Sequence, residues 1–134
     1  MKAEENKAVV RRIVEVAINH KKLALVDELF SEEYRPHPSM TGQVRGPEHA
    51  RRNFSRMHKA FPDFRVTIES MVAEGDMVAV RLTLSGTHLP TGKHARWPAT
   101  VFARFVEGKV AEDWQVVDSG QLEMQLARAP LVRL

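Results

Sequence analysis

Apolar and polar positions repeat with two different periods along this chain, and the change of period near residue 62 separates a helical part from a strand part. Over residues 4–20, Val10, Ile13, Val14, Ala17 and Ile18 recur at three- and four-residue intervals, the stripe of an amphipathic helix. Asn19-His20-Lys21-Lys22 interrupts it, and Leu23, Val26, Leu29 and Phe30 predict a second, short helix. Ser31 to Gly46 is polar and contains Pro36, Pro38 and Gly42, which predicts an irregular connection. Pro47 suits the first turn of a third helix. That helix turns Ala50, Phe54, Met57 and Phe61 inward and stops at Pro62.

Beyond it the period is two. Phe64, Val66, Ile68, Ser70 and Val72 alternate with Arg65, Thr67, Glu69 and Met71, and Glu74-Gly75-Asp76 is a hairpin turn. Val78, Val80, Leu82, Leu84, Gly86 and His88 then share one face. After a turn over Leu89 to His94, a third strand covers about Ala95 to Val106, and Glu107-Gly108 leads into a fourth carrying Trp114. Gln121 to Ala127 predicts a short last helix. The pattern predicts one α+β domain over residues 1–134, with three N-terminal helices covering the concave face of a curved antiparallel sheet. A pocket is expected between the two layers.

Composition narrows the function. The 134 residues are 43% hydrophobic and 28% charged, with net charge +3 and no cysteine. Thiolate chemistry and disulfides are thereby excluded. The basic pairs Arg11-Arg12, Lys21-Lys22 and Arg51-Arg52 are scattered and lack interleaved aromatics, so no nucleic-acid partner is expected. No apolar run is long enough for a membrane span, and the charged N-terminus has no signal-peptide core, so a cytoplasmic location is expected. Metal-ligand spacing, nucleotide-binding glycine loops and the Gly-x-Ser-x-Gly elbow are all absent. Neither a metal nor another cofactor is expected.

The candidate chemistry lies in Glu112-Asp113-Trp114-Gln115-Val116-Val117-Asp118. Read with period two, Trp114, Val116 and Asp118 share a face, which puts Asp118 in an apolar setting that raises a carboxyl pKa. Two readings of Asp118 follow: a proton-transfer group, or the cap of the helix beginning at Gln121. By parity His88 sits on the same apolar side, either as an acid–base partner or as a strand-end histidine bonded to its own turn. His37, fixed between Pro36 and Pro38, suits a pocket mouth. Phe54 and Met57 are expected in the pocket wall. Tyr34 is placed among the substrate contacts, although its position in a loop argues against an oxyanion-holding tyrosine. The outer face of the sheet, with Arg81, Thr83, Val101 or Phe102, and Val117, is expected to pair with a second copy.

Several segments together resemble the SnoaL-like polyketide or ester cyclases of the nuclear-transport-factor-2-like superfamily. They are Asn6-Lys7-Ala8-Val9-Val10-Arg11-Arg12, Leu25-Val26-Asp27-Glu28-Leu29-Phe30, Gly46-Pro47-Glu48, Phe61-Pro62-Asp63-Phe64, Val72-Ala73-Glu74-Gly75-Asp76, Gly86-Thr87-His88, and Glu112-Asp113-Trp114 with Asp118 and Gln125-Leu126. The resemblance runs from about Asn6 to Leu126. It implies a cone-shaped α+β fold around a deep pocket, and closure of a ring on a small or polycyclic carbonyl compound by intramolecular aldol chemistry without metal or cofactor. By matching position it implies Asp118 as acid/base, His88 as its pocket partner and His37 near the mouth; Trp114, on the Asp118 face, is placed with His37 among the substrate contacts. Pro38 after His37, Val117 in place of a second tryptophan, the short turn after His88 and the tail at 129–134 depart from the family pattern. Alternative readings are a ketosteroid-isomerase-like or epoxide-hydrolase-like enzyme, or a module that only binds a small ligand or dimerises.

Overall fold

The two periods become two layers in the computed structural model, which describes residues 2–38 and 45–127. The tail at 129–134 and Gly42 lie outside the described residues. Helix α1 (Lys2–Arg12) carries Glu4 and Glu5 in its first turn and Arg11 and Arg12 in its last, the charge order a helix dipole favours. It continues into a π-helical segment, Ile13–Ile18, that buries Ile13, Val14, Ala17 and Ile18. A 3-10 turn (Leu23–Leu25) and the four-residue α2 (Val26–Leu29) follow, then strand β1 (Phe30–His37) and helix α3 (Pro47–Ala60). Strands β2 (Arg65–Glu74), β3 (Met77–Thr87), β4 (His94–Val106) and β5 (Lys109–Val117) form the meander, and α4 (Ser119–Leu126) closes the described chain.

The sheet order is β1-β5-β4-β3-β2. The α+β class, the curved sheet and the covering helices are as the sequence predicts. One feature differs: residues 30–37 form an edge strand parallel to β5, so the sheet is mixed rather than wholly antiparallel. Phe30, Tyr34 and Pro36 are the buried positions of that strand. Its charged residues and Pro36 disguise it, because proline is tolerated only where a strand needs no ladder donor, as at a sheet edge.

Two irregularities curve the sheet and exchange its faces. In β2 the register shifts between Ile68 and Ser70, so Met71 and Ala73, not Ser70 and Val72, pack on the core, and Val72 is 68% exposed. In β5 the register shifts where Arg104 pairs with Glu112 but Phe105 pairs with Val110, leaving Ala111 as the extra residue of a bulge. At the far edge, the Asn19 side chain bonds both the N–H (2.8 Å) and the C=O (2.9 Å) of Val66, tying the end of the π-helical segment to β2. Gly46 begins α3 at φ 78°, where a Cβ would lie 2.7 Å from the Glu32 carbonyl oxygen, so this entry to the helix requires glycine.

The end of β5 also follows from one residue. Pro98 has no N–H to give, so the ladder ends with the Asp118 N–H donating to its carbonyl oxygen at 3.0 Å. The chain then turns into α4. Gln125 of that helix takes over as the partner of Arg96, accepting from its N–H (2.7 Å) and donating to its C=O (2.6 Å).

Candidate active site

Helices and sheet enclose a cavity of about 340 Å³. Val10, Ile13, Val14 and Ile18 line it from the first helix, with Phe54 and Met57 from α3. The sheet adds Val66, Val80, Leu82, Leu84, Trp97, Ala99, Val101, Val110 and others, and Leu122 enters from α4. Among the described residues, the hydroxyl, imidazole, amide and carboxyl groups of the lining come from three elements: Tyr34 on β1, His49 and Asn53 on α3, and Asp113 and Gln115 on β5.

Asp113 is the chemically distinctive member. It is 6% exposed, and its Oδ2 accepts a 2.8 Å hydrogen bond from the Tyr34 hydroxyl, itself almost wholly buried. Gln115 Nε2 donates to Oδ1 at 3.2 Å. Burial pushes the Asp113 carboxyl up to about 6 against the hydrogen bonds from Tyr34 and Gln115 that favour its charged form. The nearby Glu112 charge adds to the rise, whereas His37 opposes it. Burial, and then the facing Asp113, push the Tyr34 phenol well above its ordinary value, so it stays protonated. On the α3 wall, burial and then Arg56 lower the His49 imidazole pKa, which favours its neutral form. Its ring centroid is 6.2 Å from that of Tyr34.

Of the residues expected here, Tyr34, Phe54 and Met57 do line the cavity. The rest lie elsewhere, and the shared cavity expected for Asp118, Trp114 and His88 is corrected. The bulge at Ala111 moves the inward set of β5 from the even to the odd positions, so Asp113, Gln115 and Val117 face the cavity. Trp114 is 39% and Val116 70% exposed. Asp118 is exposed and caps α4, its Oδ1 accepting from the Gln121 N–H at 3.0 Å. His88 lies past the end of β3 and does not line the cavity. Its Nδ1 is 3.0 Å from Thr91 Oγ1 and its ring packs on Phe61 at 5.3 Å, the strand-end arrangement.

His37 is on the outer face as well, stacked on Trp114 at 5.2 Å with Nε2 2.6 Å from Glu112 Oε2. Glu112 also meets Arg104 Nε at 3.1 Å and Arg35 Nη2 at 3.6 Å. The His37 hydrogen bond, then that from Arg104, hold its carboxyl below the usual range. The expected dimer face divides in the same way: Arg81 and Phe102 are exposed, whereas Val101 lines the cavity, as does Val117, which also remains partly open to solvent. Asp113, Gln115, His49 and Asn53 were not singled out from the sequence as site residues. An acid flanked by Glu112 and Trp114 carries no signal of burial unless the bulge is known. Among the described residues no group of three or more His, Cys, Asp or Glu side chains is placed to hold a metal ion, and no helix is long and apolar enough to cross a membrane.

A family model described as SnoaL-like polyketide cyclase matches residues 7–126. The chain belongs to the SnoaL-like polyketide cyclase family. No curated protein matches it. Among solved structures, TsrD from Streptomyces laurentii is similar in fold, with a TM-score of 0.86 at 22% identity, over 94% of this chain and 97% of that one. A Bacillus cereus protein provisionally assigned as a polyketide cyclase is 26% identical, with TM-score 0.81 over 91% of this chain and 80% of its own. AclR from Streptomyces galilaeus, provisionally a hydroxylase, is 28% identical, with TM-score 0.79 over 96% and 99% of the two chains. The SnoaL-like frame thus accompanies more than one assigned chemistry, and the reaction has to be argued from the residues in the cavity.

Proposed function

We propose that this SnoaL-like protein is an acid–base enzyme that removes a proton next to the carbonyl of a small ring-forming compound and closes a ring by intramolecular aldol addition, with Asp113 as the base. The observation that supports this reading is the pairing of a nearly dry carboxyl with Tyr34 in a cavity lined mostly by apolar side chains. A carboxylate with a pKa near 6 is ionised at neutral pH, yet is a far better base than an ordinary aspartate. In the proposed step Asp113 takes the proton from carbon and the resulting enolate attacks a second carbonyl. The new alkoxide then recovers a proton, so no net proton is consumed. Neutral His49 and the amides of Asn53 and Gln115 are the polar groups on hand to support the oxygen that gains charge. The reading requires no cofactor. Asp118, exposed and committed to the α4 cap, is assigned a structural role.

The reaction class can be tested before the natural substrate is known. The protein should accelerate exchange of the α-protons of 2-tetralone with deuterium, followed by NMR, and Asp113→Asn should lower that acceleration by about 10²–10⁴-fold. The rate should rise with pH through about 6, because the base must be ionised. Exchange that is equally fast in Asp113→Asn would overturn the assignment and favour a ligand-binding module.

A further inference from the structure

Two consecutive acids on β5 are treated in opposite ways by the fold. Glu112, on the outer face, is met by Arg104, Arg35 and His37. Asp113, on the inner face, has the neutral hydrogen-bond partners Tyr34 and Gln115, and among the described residues no lysine or arginine lines the cavity. The cations near this part of the sheet are thus gathered around the outward acid. The hydroxyl proton of Tyr34 is also committed, since it points at Asp113 Oδ2. Each Asp113 oxygen accepts one hydrogen bond and keeps further acceptor capacity. The pair therefore offers lone pairs, not donors, to whatever occupies the cavity.

We infer that the cavity selects its occupant by charge and by hydrogen-bonding sense: it takes an uncharged, ring-sized compound that presents a hydroxyl, an enol or an acidic C–H to Asp113, and rejects carboxylates and phosphate-bearing compounds. The inference rests on the cavity being the substrate site, but not on Asp113 moving a proton. An anionic head placed beside Asp113 would meet a like charge with no lysine or arginine among the described lining residues to offset it, and would lose its own hydration. At a separation of a few ångströms that repulsion corresponds to about 100-fold or more in affinity. A cavity of about 340 Å³ accommodates a two-ring body and is near the small end of ligand pockets.

Three naphthalenes of the same body test this by calorimetric titration: 2-naphthol, 2-acetylnaphthalene and 2-naphthoate. At about pH 7.5 the naphthol should bind most tightly, the acetyl compound, which has only a weakly acidic C–H and no O–H to donate, several-fold more weakly, and the naphthoate at least about 100-fold more weakly than the naphthol. At about pH 5, where Asp113 is largely protonated and able to donate, naphthoate affinity should recover by about tenfold or more. The groups that act on Asp113 across this range are Tyr34, Gln115, His37 and Glu112, and His49 on α3 packs near Tyr34. Repeating the titrations in Asp113→Asn assigns the effect, because that variant should lose both the discrimination and its pH dependence.

Naphthoate binding within tenfold of naphthol at about pH 7.5 would overturn the inference, as would discrimination that persists in Asp113→Asn. Failure of all three probes to bind at about 1 mM would overturn it too, since the cavity would then not be a ligand site. Selective binding with no 2-tetralone exchange would uphold the inference and sink the catalytic reading. Exchange without charge selection would do the reverse.

Discussion

Replacing Asp113 by asparagine should change how the stability of the protein depends on pH. A carboxyl raised from 3.8 to about 6 by burial holds its proton more tightly in the folded chain than in the unfolded one. The difference corresponds to about 3 kcal/mol. Because the folded value is the higher one, that stabilisation is complete below about pH 4 and is lost as pH rises through about 6. Wild type should therefore weaken by about 3 kcal/mol between roughly pH 4 and pH 7.5 on account of this group alone. Asp113→Asn has no proton to lose there. Its amide oxygen can still accept from Tyr34, while its NH2 obliges the Gln115 amide to turn its oxygen inward. Groups that do not interact with Asp113 contribute equally to both proteins and cancel in the difference. For a domain of this size the change amounts to about 10 °C in Tm. Thermal unfolding of both proteins across this range should give curves that converge or cross, with wild type ahead at the acid end. Curves that stay parallel would show that Asp113 is not desolvated in the folded chain, and the mechanism would lose its physical basis.

Tyr34→Phe removes a hydrogen bond that favours the ionised form of Asp113, so the acid limb of the exchange rate should move to higher pH, and stability at neutral pH should drop by about 1–3 kcal/mol. An unchanged pH profile would count against the pairing. Asp118→Ala deletes the cap of α4 and should cost about 0.5–2 kcal/mol in chemical denaturation while leaving 2-tetralone exchange near the wild-type rate; a collapse of exchange without loss of stability would return Asp118 to the mechanism. The exposed Phe102, Trp114 and Val116 lie on the outer face and support a homodimer paired through the sheet. Light scattering at micromolar concentration should give twice the chain mass for wild type and a monomer for Phe102→Glu, and a monomeric wild type would rule the pairing out.

What the sequence by itself determined was whatever depends on periodicity inside one element. The stripe Val10, Ile13, Val14, Ala17 and Ile18 does face the sheet, Pro47 does open α3, and Val80, Leu82 and Leu84 do share the inner face, because hydrophobic burial fixes the orientation of a regular helix or strand. The family was legible too, since the segments that carry the resemblance are read directly from the sequence, in turns as well as in regular elements. Tertiary structure decided the rest. Strand β1 exists because β5 offers it a partner edge, and only then does Tyr34 leave its expected loop and reach an acid 79 residues away. The identity of that acid was settled by Ala111. One unpaired residue in β5 rotates everything after it by half a period, taking Asp118 and Trp114 out and bringing Asp113 and Gln115 in. A bulge arises from the fit between two strands, which neither strand's own pattern encodes, so local alternation placed Asp118 rather than Asp113 on the inner face.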